Sequence, residues 1–204
     1  MKSSVLRISL LLQALVPLFA EEEVYFPDNW HQWTGFQDSQ APRYAVCRVK
    51  PNNTLEAEQP SVHGFILFKQ VPGKKFGYFK LQGFPASSSK HPMHVHELGF
   101  LCDGCVSTGG HYNPFGTSHP NHPGDFNNFE ITGGTITKRL TGLKVTLFGI
   151  NSILSRSVVL HNGVDDLGQG GDSGSLQHGN SGKPIACGVI RVSNAQFWNS
   201  IATM

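Results

Sequence analysis

Beyond its first twenty residues the sequence has no long hydrophobic run, and a membrane-spanning helix needs about twenty apolar residues. The apolar stretch at residues 10–19 is too short to span a bilayer, and it follows the basic residues Lys2 and Arg7. It is followed by Ala20, a small residue that suits cleavage, and then by three glutamates. This arrangement is typical of a secretory signal, so we predict a signal peptide over residues 1–20 and a secreted, extracellular protein with no transmembrane segment.

The sequence also lacks an excess of charge of either sign. Two of its 16 Lys and Arg residues fall in the predicted signal, which leaves 14 against 14 Asp and Glu. A formal charge near zero gives no reason to expect nucleic acid or an anionic membrane as a partner. The remaining length fits one domain with a sizeable hydrophobic core.

Cysteine is scarce, with four residues in the whole chain. Cys102 and Cys105 have the spacing of a redox motif, but that interpretation needs a cytosolic thioredoxin-like setting, which a secreted chain lacks. Four cysteines allow three complete disulfide pairings, and the sequence alone does not choose among them. A different motif, the sequon Asn52-Asn53-Thr54, predicts that Asn52 lies on the surface if it is glycosylated.

Residues 21–42 form an N-terminal extension in which aromatic side chains stand among polar ones. The aromatic residues are Tyr25, Phe26, Trp30, Trp33 and Phe36. Such an extension either packs on its own domain or contacts another subunit, since exposed aromatic residues often mark interfaces. The sequence favours neither interpretation, and the main domain is expected over residues 43–204.

Short alternating runs dominate this domain, and no amphipathic helix of useful length interrupts them. They predict strands at residues 44–49, 62–70, 76–82, 93–98, 127–132, 135–140, 143–148, 157–161 and 186–192. Many short antiparallel strands indicate a sandwich or a barrel, so the predicted fold class is all-β. Two long irregular stretches, residues 99–126 and 162–183, break the pattern, and loops of this length are usually functional.

Residues that bind metals are concentrated at these two loops. They are His94, His96, His111, His119, His122, Asp125 and the more distant His161. His94 and His96 alternate on a predicted strand, which directs both imidazoles to one face. The group from 119 to 125 lies among Gly, Pro and Asn residues, which suit a loop that wraps an ion. His111 can reach both groups, because each imidazole has two nitrogens that bind metal.

This pattern predicts two metal sites. Three histidines and one aspartate suit zinc, and a site built only from imidazoles suits copper. The competing interpretation is a set of solvated or hydrogen-bonded histidines, which we expect for His31 and His63, while His91 could support a ligand without being one. A disordered histidine-rich tract is the other alternative, and the alternating strands on both sides argue against it.

Six motifs along the domain identify a family when they are taken together. They are His94-Val-His96-Glu-Leu-Gly, Gly110-His111-Tyr-Asn-Pro114 with His119, His122-Pro-Gly-Asp125, Val158-Val-Leu-His161, Asp165-Asp166-Leu-Gly168 and Ala186-Cys-Gly-Val-Ile190. In this order, from about residue 43 to 192, they resemble the copper/zinc superoxide dismutases of the extracellular type. The resemblance implies an eight-stranded Greek-key β-barrel with two long loops that carry the metal site.

The resemblance also implies ligands and a reaction. The copper ligands would be His94, His96, His111 and His161, and the zinc ligands His111, His119, His122 and Asp125. Asp165 would link a copper histidine to a zinc histidine, and such outer bonds fix ring orientation. Cys105 and Cys187 correspond to the family's disulfide and Cys47 to a buried thiol, whereas Cys102 has no counterpart. The reaction would be dismutation of superoxide to oxygen and hydrogen peroxide.

The chain departs from the family at the substrate channel. The position of the family's arginine over copper is occupied by Pro184, and the adjacent Lys183 lacks the planar two-pronged geometry of a guanidinium. His178 stands near a threonine position that lines the channel, where it could narrow the channel or bind metal. The second loop is poor in steering charges and instead has Asn162, Gly163, Gln169, Ser173, Gly174 and Gln177.

Two functions remain open after this departure. Loss of a charged channel predicts a dismutase of reduced efficiency, because such channels raise association rates by roughly 10–10³. The alternative is a non-catalytic, abundant plasma protein that binds metal or assembles with itself, and within the family the chain resembles the molluscan haemolymph proteins of the cavortin and dominin type. A homo-oligomer is expected, because apolar or small residues fall where the family's dimer contact lies, with Ser155 in place of a glycine. These residues are Leu98, Gly99, Leu154, Val189 and Val192.

Overall fold

The computed structural model describes residues 41–53 and 60–202, so the predicted signal peptide and most of the N-terminal extension lie outside the described residues. Its strands are β1 (Arg43–Pro51), β2 (His63–Val71), β3 (Lys74–Gln82), β4 (Lys90–His96), β5 (Cys102–Cys105), β6 (Asp125–Glu130), β7 (Thr135–Thr141), β8 (Ser157–His161) and β9 (Pro184–Ser193). Two helices, α1 (Ser173–His178) and α2 (Ala195–Ala202), and a 3-10 turn at Val106–Thr108 also form. No helix within the described ranges is long and apolar enough to cross a membrane.

Eight of the strands form one antiparallel sheet in the order β6-β4-β8-β9-β1-β2-β3-β7. Strands β1, β2 and β3 pair with one another in sequence order. The chain then crosses from β3 to β4, which lies near the opposite end of the strand order, and this crossing is a Greek-key connection. The sheet curls into a nearly closed barrel. The predicted all-β, eight-stranded Greek-key fold is therefore confirmed.

The barrel interior is filled by large apolar side chains from alternating strand positions. Phe79 is fully buried, and its ring centroid lies 4.6 Å from that of Phe129 and 5.3 Å from that of Phe126. Burial of each such side chain contributes roughly 1.5–3 kcal/mol to stability. Because alternate residues of a strand point to opposite faces, the residues between these core positions point outward, where a functional site can form.

Helix α2 packs on the outer face of the barrel. The ring of Phe197 meets Phe65 edge-on at 5.7 Å, and Trp198 lies 6.2 Å from Tyr44. Ala202 is completely buried in the same cluster. A helix of eight residues spans only about two turns, which is why periodicity did not predict it.

The strand predicted at residues 143–148 is wrong. Val145 and Leu147 are buried in the core, so the apolar alternation is real, but the segment forms only an isolated bridge, from Thr146 to Ser152, and no strand. The backbone N–H of Leu147 instead donates to the side chain of Gln70 at 2.7 Å. An alternating pattern reports burial on one side and does not by itself require a ladder.

Candidate metal centre

Strand β4 places two histidines on the outer side of the barrel wall. Met93 and Val95 point into the core and are almost completely buried, so alternation directs His94 and His96 to the opposite face. Strand β8 pairs with β4 and ends at His161. The ring centroid of His161 lies 5.3 Å from that of His94 and 5.4 Å from that of His96. All three imidazoles are buried.

The loop between β5 and β6 brings the other predicted ligands to the same place. The backbone of His111 forms an isolated antiparallel β-bridge with that of His96, and the ring centroid of His111 lies 4.1 Å from that of His94. The rings of His119 and His122 lie 5.4 and 5.6 Å from that of His111. Asp125 begins β6 directly opposite His94. The structure thus brings together all seven residues that the sequence singled out as ligands.

The relation between His96 and His161 points to a cation. Nδ1 of His96 donates to the carbonyl oxygen of Gly109 at 2.7 Å, and Nδ1 of His161 donates to that of Gly182 at 3.0 Å. Each Nε2 atom is then a lone-pair acceptor, and the two Nε2 atoms lie only 3.3 Å apart. Two facing lone pairs repel each other, and a cation held by both nitrogens removes that repulsion.

Asp165 connects the two groups of histidines. Its Oδ2 accepts a hydrogen bond from Nε2 of His94 at 2.8 Å, and its Oδ1 accepts one from Nε2 of His119 at 2.7 Å. In both rings Nδ1 is buried without a hydrogen-bond partner. The carboxylate therefore fixes the protonated nitrogen of each ring and leaves the other nitrogen available as a metal ligand.

A second set of donor atoms surrounds Asp125. Its Oδ2 lies 2.9 Å from Nδ1 of His119 and 3.0 Å from Nδ1 of His122, without the alignment of a hydrogen bond, and its Oδ1 lies 3.1 Å from Nδ1 of His111. Nε2 of His122 donates to the Thr117 carbonyl at 3.0 Å, which leaves Nδ1 as the acceptor. Three imidazole nitrogens and one carboxylate make up a set of four donors of the kind that zinc prefers.

Taken by distance, the donor atoms form two groups that share His111. One atom from each of His94, His96, His111 and His161 lies within 4.8 Å of the others, and the same holds for His94, His111, His119 and Asp125. His122 falls outside the second group on this measure, although it contacts Asp125. His94 falls in both groups but has a single nitrogen left after Asp165 takes the other, so it can serve only one metal. The arrangement fits an all-imidazole copper site beside a mixed zinc site.

The electrostatics of the centre keep most of these groups ready to bind cations. Burial, together with repulsion between neighbouring histidines, lowers the pKa of His111 to about 4 and that of His161 to about 3, so both are neutral near pH 7. Burial disfavours the charged form of His119 as well, but its contacts with Asp125 and Asp165 outweigh burial and raise its pKa to about 9. A metal that binds His119 must therefore displace a proton.

Two residues that the sequence did not reveal hold Asp165 in place. The side chain of Asn128 brackets its backbone, because Nδ2 donates to the Asp165 carbonyl and Oδ1 accepts from the Asp165 N–H, both at 2.9 Å. Gly179 has a φ of +64°, and a Cβ there would collide with the Asp165 carboxylate and approach the ring of His119. Only glycine allows this approach. Neither residue belongs to a motif that would mark it in the sequence.

A cavity of about 730 Å³ opens over His96, His111 and His161. None of the described residues that line it is Lys or Arg. Pro184 is half-buried at the start of β9, does not line the cavity, and uses its carbonyl to accept a hydrogen bond from Asn52. His178 lines the cavity at the end of α1, outside both groups of donor atoms. The cavity thus offers no guanidinium to an anion.

The disulfide that the family resemblance implies is present, and the asparagine of the sequon is buried. Cys105 and Cys187 form a disulfide that joins β5, at the start of the ligand loop, to β9, while Cys47 is a buried free thiol and Cys102 an exposed one. Asn52 is buried, so it lacks the surface position that we expect of a glycosylated asparagine. Its Oδ1 accepts from the backbone of Cys105 at 3.0 Å and its Nδ2 donates to Pro184 at 3.1 Å, so its side chain ties the disulfide region to β9.

Comparisons with known proteins agree with this centre. The family model described as copper/zinc superoxide dismutase (SODC) matches residues 62–190, which is more than half of the chain. The chain is 49% identical over 161 residues to the extracellular superoxide dismutase [Cu-Zn] of Rattus norvegicus, covering 77% of this chain and 66% of that protein. The corresponding protein of Mus musculus is 48% identical over 164 residues, covering 78% and 65%.

The match to a third relative covers a larger share of that protein. The extracellular superoxide dismutase [Cu-Zn] of Homo sapiens is 43% identical over 173 residues, covering 83% of this chain and 72% of that protein. The chain therefore spans slightly less than two thirds of the rat and mouse relatives and somewhat more of the human one. With the barrel, the two histidine groups and this identity together, the chain belongs to the copper/zinc superoxide dismutase family, whose cofactors are copper and zinc.

Proposed function

We propose that this chain is a secreted superoxide dismutase with one copper and one zinc site. Copper would be held by His94, His96, His111 and His161, and zinc by His111, His119, His122 and Asp125. The observation that carries the proposal is the pair of Nε2 atoms of His96 and His161, which face each other at 3.3 Å. The relatives are named extracellular superoxide dismutases, which supports secretion of this chain and superoxide as its substrate.

The reaction converts two superoxide ions and two protons into one oxygen and one hydrogen peroxide. When bound at the imidazole site, copper would supply the one-electron redox chemistry of the reaction. The chain's own part is to hold the metal ligands in fixed orientations. His111 directs Nδ1 to Asp125, which leaves its Nε2 as the nitrogen for the copper site. Asp165 holds the rings of His94 and His119 in fixed orientations.

We propose that the enzyme works at a reduced rate. An arginine at the mouth of the cavity would attract the superoxide anion. The position of the family's arginine carries Pro184 in this chain, and no Lys or Arg among the described residues lines the cavity. Charged funnels raise association rates by roughly 10–10³ and lose this advantage when salt is added. An enzyme without the funnel should be slower and nearly insensitive to ionic strength.

The test is the dismutation rate per bound copper, after the purified protein is loaded with zinc and then copper. We expect a rate below the diffusion limit of about 10⁸–10⁹ M⁻¹s⁻¹, little change with salt, and a faster, more salt-sensitive reaction in the variant Pro184→Arg. His96→Ala is the matched control for loosely bound copper. A wild-type rate no higher than that of this control would contradict the proposal.

A second candidate is a non-catalytic plasma protein that stores metal or assembles with itself, as suggested by the resemblance to molluscan haemolymph proteins. The lack of Lys and Arg among the described residues that line the cavity favours it, since metal storage does not need an anion channel. This function predicts zinc in the protein as isolated from its source, with copper scarce or easily removed by a chelator. One tightly held copper per chain would contradict this function and support the dismutase.

We also propose a homo-oligomer that uses the patch of Leu98, Leu154 and Val189. Leu98 is 42% exposed, and Leu154 and Val189 are partly exposed. Ser155, beside them, has a φ of +64°, a conformation that favours glycine. Light scattering should give a multiple of the chain mass, and Leu154→Asp should reduce it to that of one chain. A wild-type mass of one chain would contradict this assembly.

A further inference from the structure

The cavity over the metal centre has to receive a small anion without a lysine or an arginine among the described residues that line it. Glu97 lines the cavity as well, and a carboxylate repels an anion. A small anion in this cavity therefore depends on N–H and O–H groups that point into it and are not already bonded to the protein. A hydrogen bond to an ion is roughly twice as strong as one between neutral groups, so a single free donor matters here.

His178 is the one histidine in residues 41–53 and 60–202 whose ring makes no hydrogen bond. The rings of the histidines in the metal centre bond to carboxylates or backbone carbonyls, and those of His63 and His91 bond to neighbouring side chains. His178 is exposed and lines the cavity together with His96 and His161. Imidazole carries an N–H in its neutral and in its protonated form, so His178 has a donor available to a molecule in the cavity.

Helix α1 holds His178 in a constant position relative to the metal centre. Asp172 caps the start of the helix, and the carbonyl of His178 at its end accepts from the hydroxyl of Ser181 at 2.9 Å. The next residue, Gly179, is packed so closely against the carboxylate of Asp165 that a Cβ would collide with it. The end of α1 is therefore joined to the residue that orients the metal ligands, and His178 is presented to the cavity from a fixed backbone.

Two amide side chains also line the cavity, but both are less suited to hold an anion. The side-chain amide of Asn113 already donates to the carbonyl of Thr117 at 2.8 Å. Gln177 is exposed beside His178 on the same helix, and its longer side chain loses more conformational entropy when it is held in one place. The imidazole of His178 has fewer rotatable bonds, so it offers its N–H at a smaller entropic cost.

On the basis of the function proposed above, we propose that His178 binds the superoxide ion in the cavity by donating a hydrogen bond to it. His178 thereby takes in part the place of the family's arginine, whose position is occupied by Pro184. The substitution is incomplete, because a guanidinium presents two parallel donors to an anion and an imidazole presents one. A hydrogen bond also acts only at contact, whereas fixed charge attracts anions over about 8 Å at physiological ionic strength. Both differences agree with an enzyme that is slow and insensitive to salt.

The test is a titration of the zinc- and copper-loaded protein with azide, a small anion, followed by optical absorption. We expect His178→Ala to weaken azide binding about tenfold and to lower the dismutation rate per copper, since a hydrogen bond to an ion is lost. His178→Gln keeps an N–H donor and should restore part of the azide affinity. Gln177→Ala is the matched control, because it removes an exposed polar side chain from the same helix and the same cavity and should bind azide as the wild type does.

Four outcomes would overturn the proposal. The first is an unchanged azide affinity in His178→Ala, even if the wild-type protein is an active dismutase. The second is a higher affinity and rate in His178→Ala, which would show that the side chain only narrows the cavity. The third is an equal loss in Gln177→Ala, which would indicate a general effect on the cavity wall. The fourth is weaker copper binding by His178→Ala in competition with a chelator, which would make His178 a metal ligand.

The function proposed above can fail independently of the anion site. A protein that shows no dismutation but loses azide affinity in His178→Ala would support the anion-binding role of His178 and contradict the dismutase. Unchanged circular dichroism of His178→Ala and Gln177→Ala establishes that the variants are folded.

Discussion

Nε2 of His96 lies 3.3 Å from Nε2 of His161, and the other nitrogen of each ring donates to a backbone carbonyl. The two carbonyls belong to Gly109 in the loop after β5 and Gly182 in the loop before β9. The long loops therefore do more than carry ligands, because their backbones set the tautomers of the histidines that the strands supply.

Asp165→Asn should weaken metal binding at the site whose histidine loses its hydrogen-bond partner. Each carboxylate oxygen now accepts from one ring, and an amide can accept only through its single oxygen, so one histidine loses the bond that fixes its orientation. Loss of such an outer bond lowers metal affinity about 10–100-fold. Competition with a chelator measures this for zinc and copper separately. Asp103→Asn, at an exposed position, is the control, and equal affinities for the two variants would contradict the role given to Asp165.

Gly179→Ala should both destabilise the protein and weaken its metal sites. The new methyl group would meet the Asp165 carboxylate in addition to the strain of a φ of +64°. Gly171→Ala is the matched control, since Gly171 has a φ of +79° and nothing within 4 Å of a Cβ, so it reports backbone strain of about 1–2 kcal/mol alone. Urea unfolding of the metal-free variants should give a larger loss for Gly179→Ala. Equal losses would mean that the close approach to Asp165 has no energetic consequence.

The metal-free protein should be most stable near pH 6.5. Below that pH the unfolded chain takes up protons at His111 and His161 that the folded chain, with pKa values of about 4 and about 3, refuses, so stability falls as pH falls. Above it, His119, with a folded pKa of about 9, keeps a proton that the unfolded chain releases, so stability falls as pH rises toward 9. Urea unfolding in the presence of a chelator from pH 4.5 to 9 measures the curve. His119→Gln should flatten its alkaline side, and a stability that rises steadily from pH 6.5 to 9 would contradict this account.

The folded protein should react with a thiol reagent at one cysteine per chain. Burial raises the pKa of Cys47 to about 12, so it has almost no thiolate at pH 8 and no access to the reagent, whereas Cys102 is exposed and Cys105 and Cys187 are joined. Mass spectrometry after iodoacetamide treatment should find one label, and two after unfolding without reductant. Cys102→Ser should abolish the first label. A label on Cys47 in the folded protein would show that β1 is accessible.

The barrel and the ligand set could be predicted because both leave a local signal. Alternation along β4 and the spacing of His119, His122 and Asp125 follow directly from strand and loop geometry. The strand predicted at residues 143–148 was wrong because alternation reports burial, and Val145 and Leu147 are buried in a segment that forms only an isolated bridge. The sequence did not reveal that Asn52 is buried, because its side chain bonds to Cys105 and Pro184, which lie 53 and 132 residues away in sequence.

The support around the ligands could not be predicted from the residues alone. Asp165 was reached only through the family resemblance, since nothing in its own segment places it between His94 and His119. Asn128 and Gly179 act through the backbone and carboxylate of Asp165, and such contacts across the fold have no periodicity to detect.

The most direct test is anomalous diffraction from crystals of the protein loaded with zinc and then copper, measured on both sides of each metal's absorption edge. The account predicts a copper peak among His94, His96, His111 and His161, and a zinc peak about 2.0–2.2 Å from nitrogens of His111, His119 and His122 and an oxygen of Asp125. A single peak, or a zinc peak away from Asp125, would contradict the two-metal centre on which the proposed function rests.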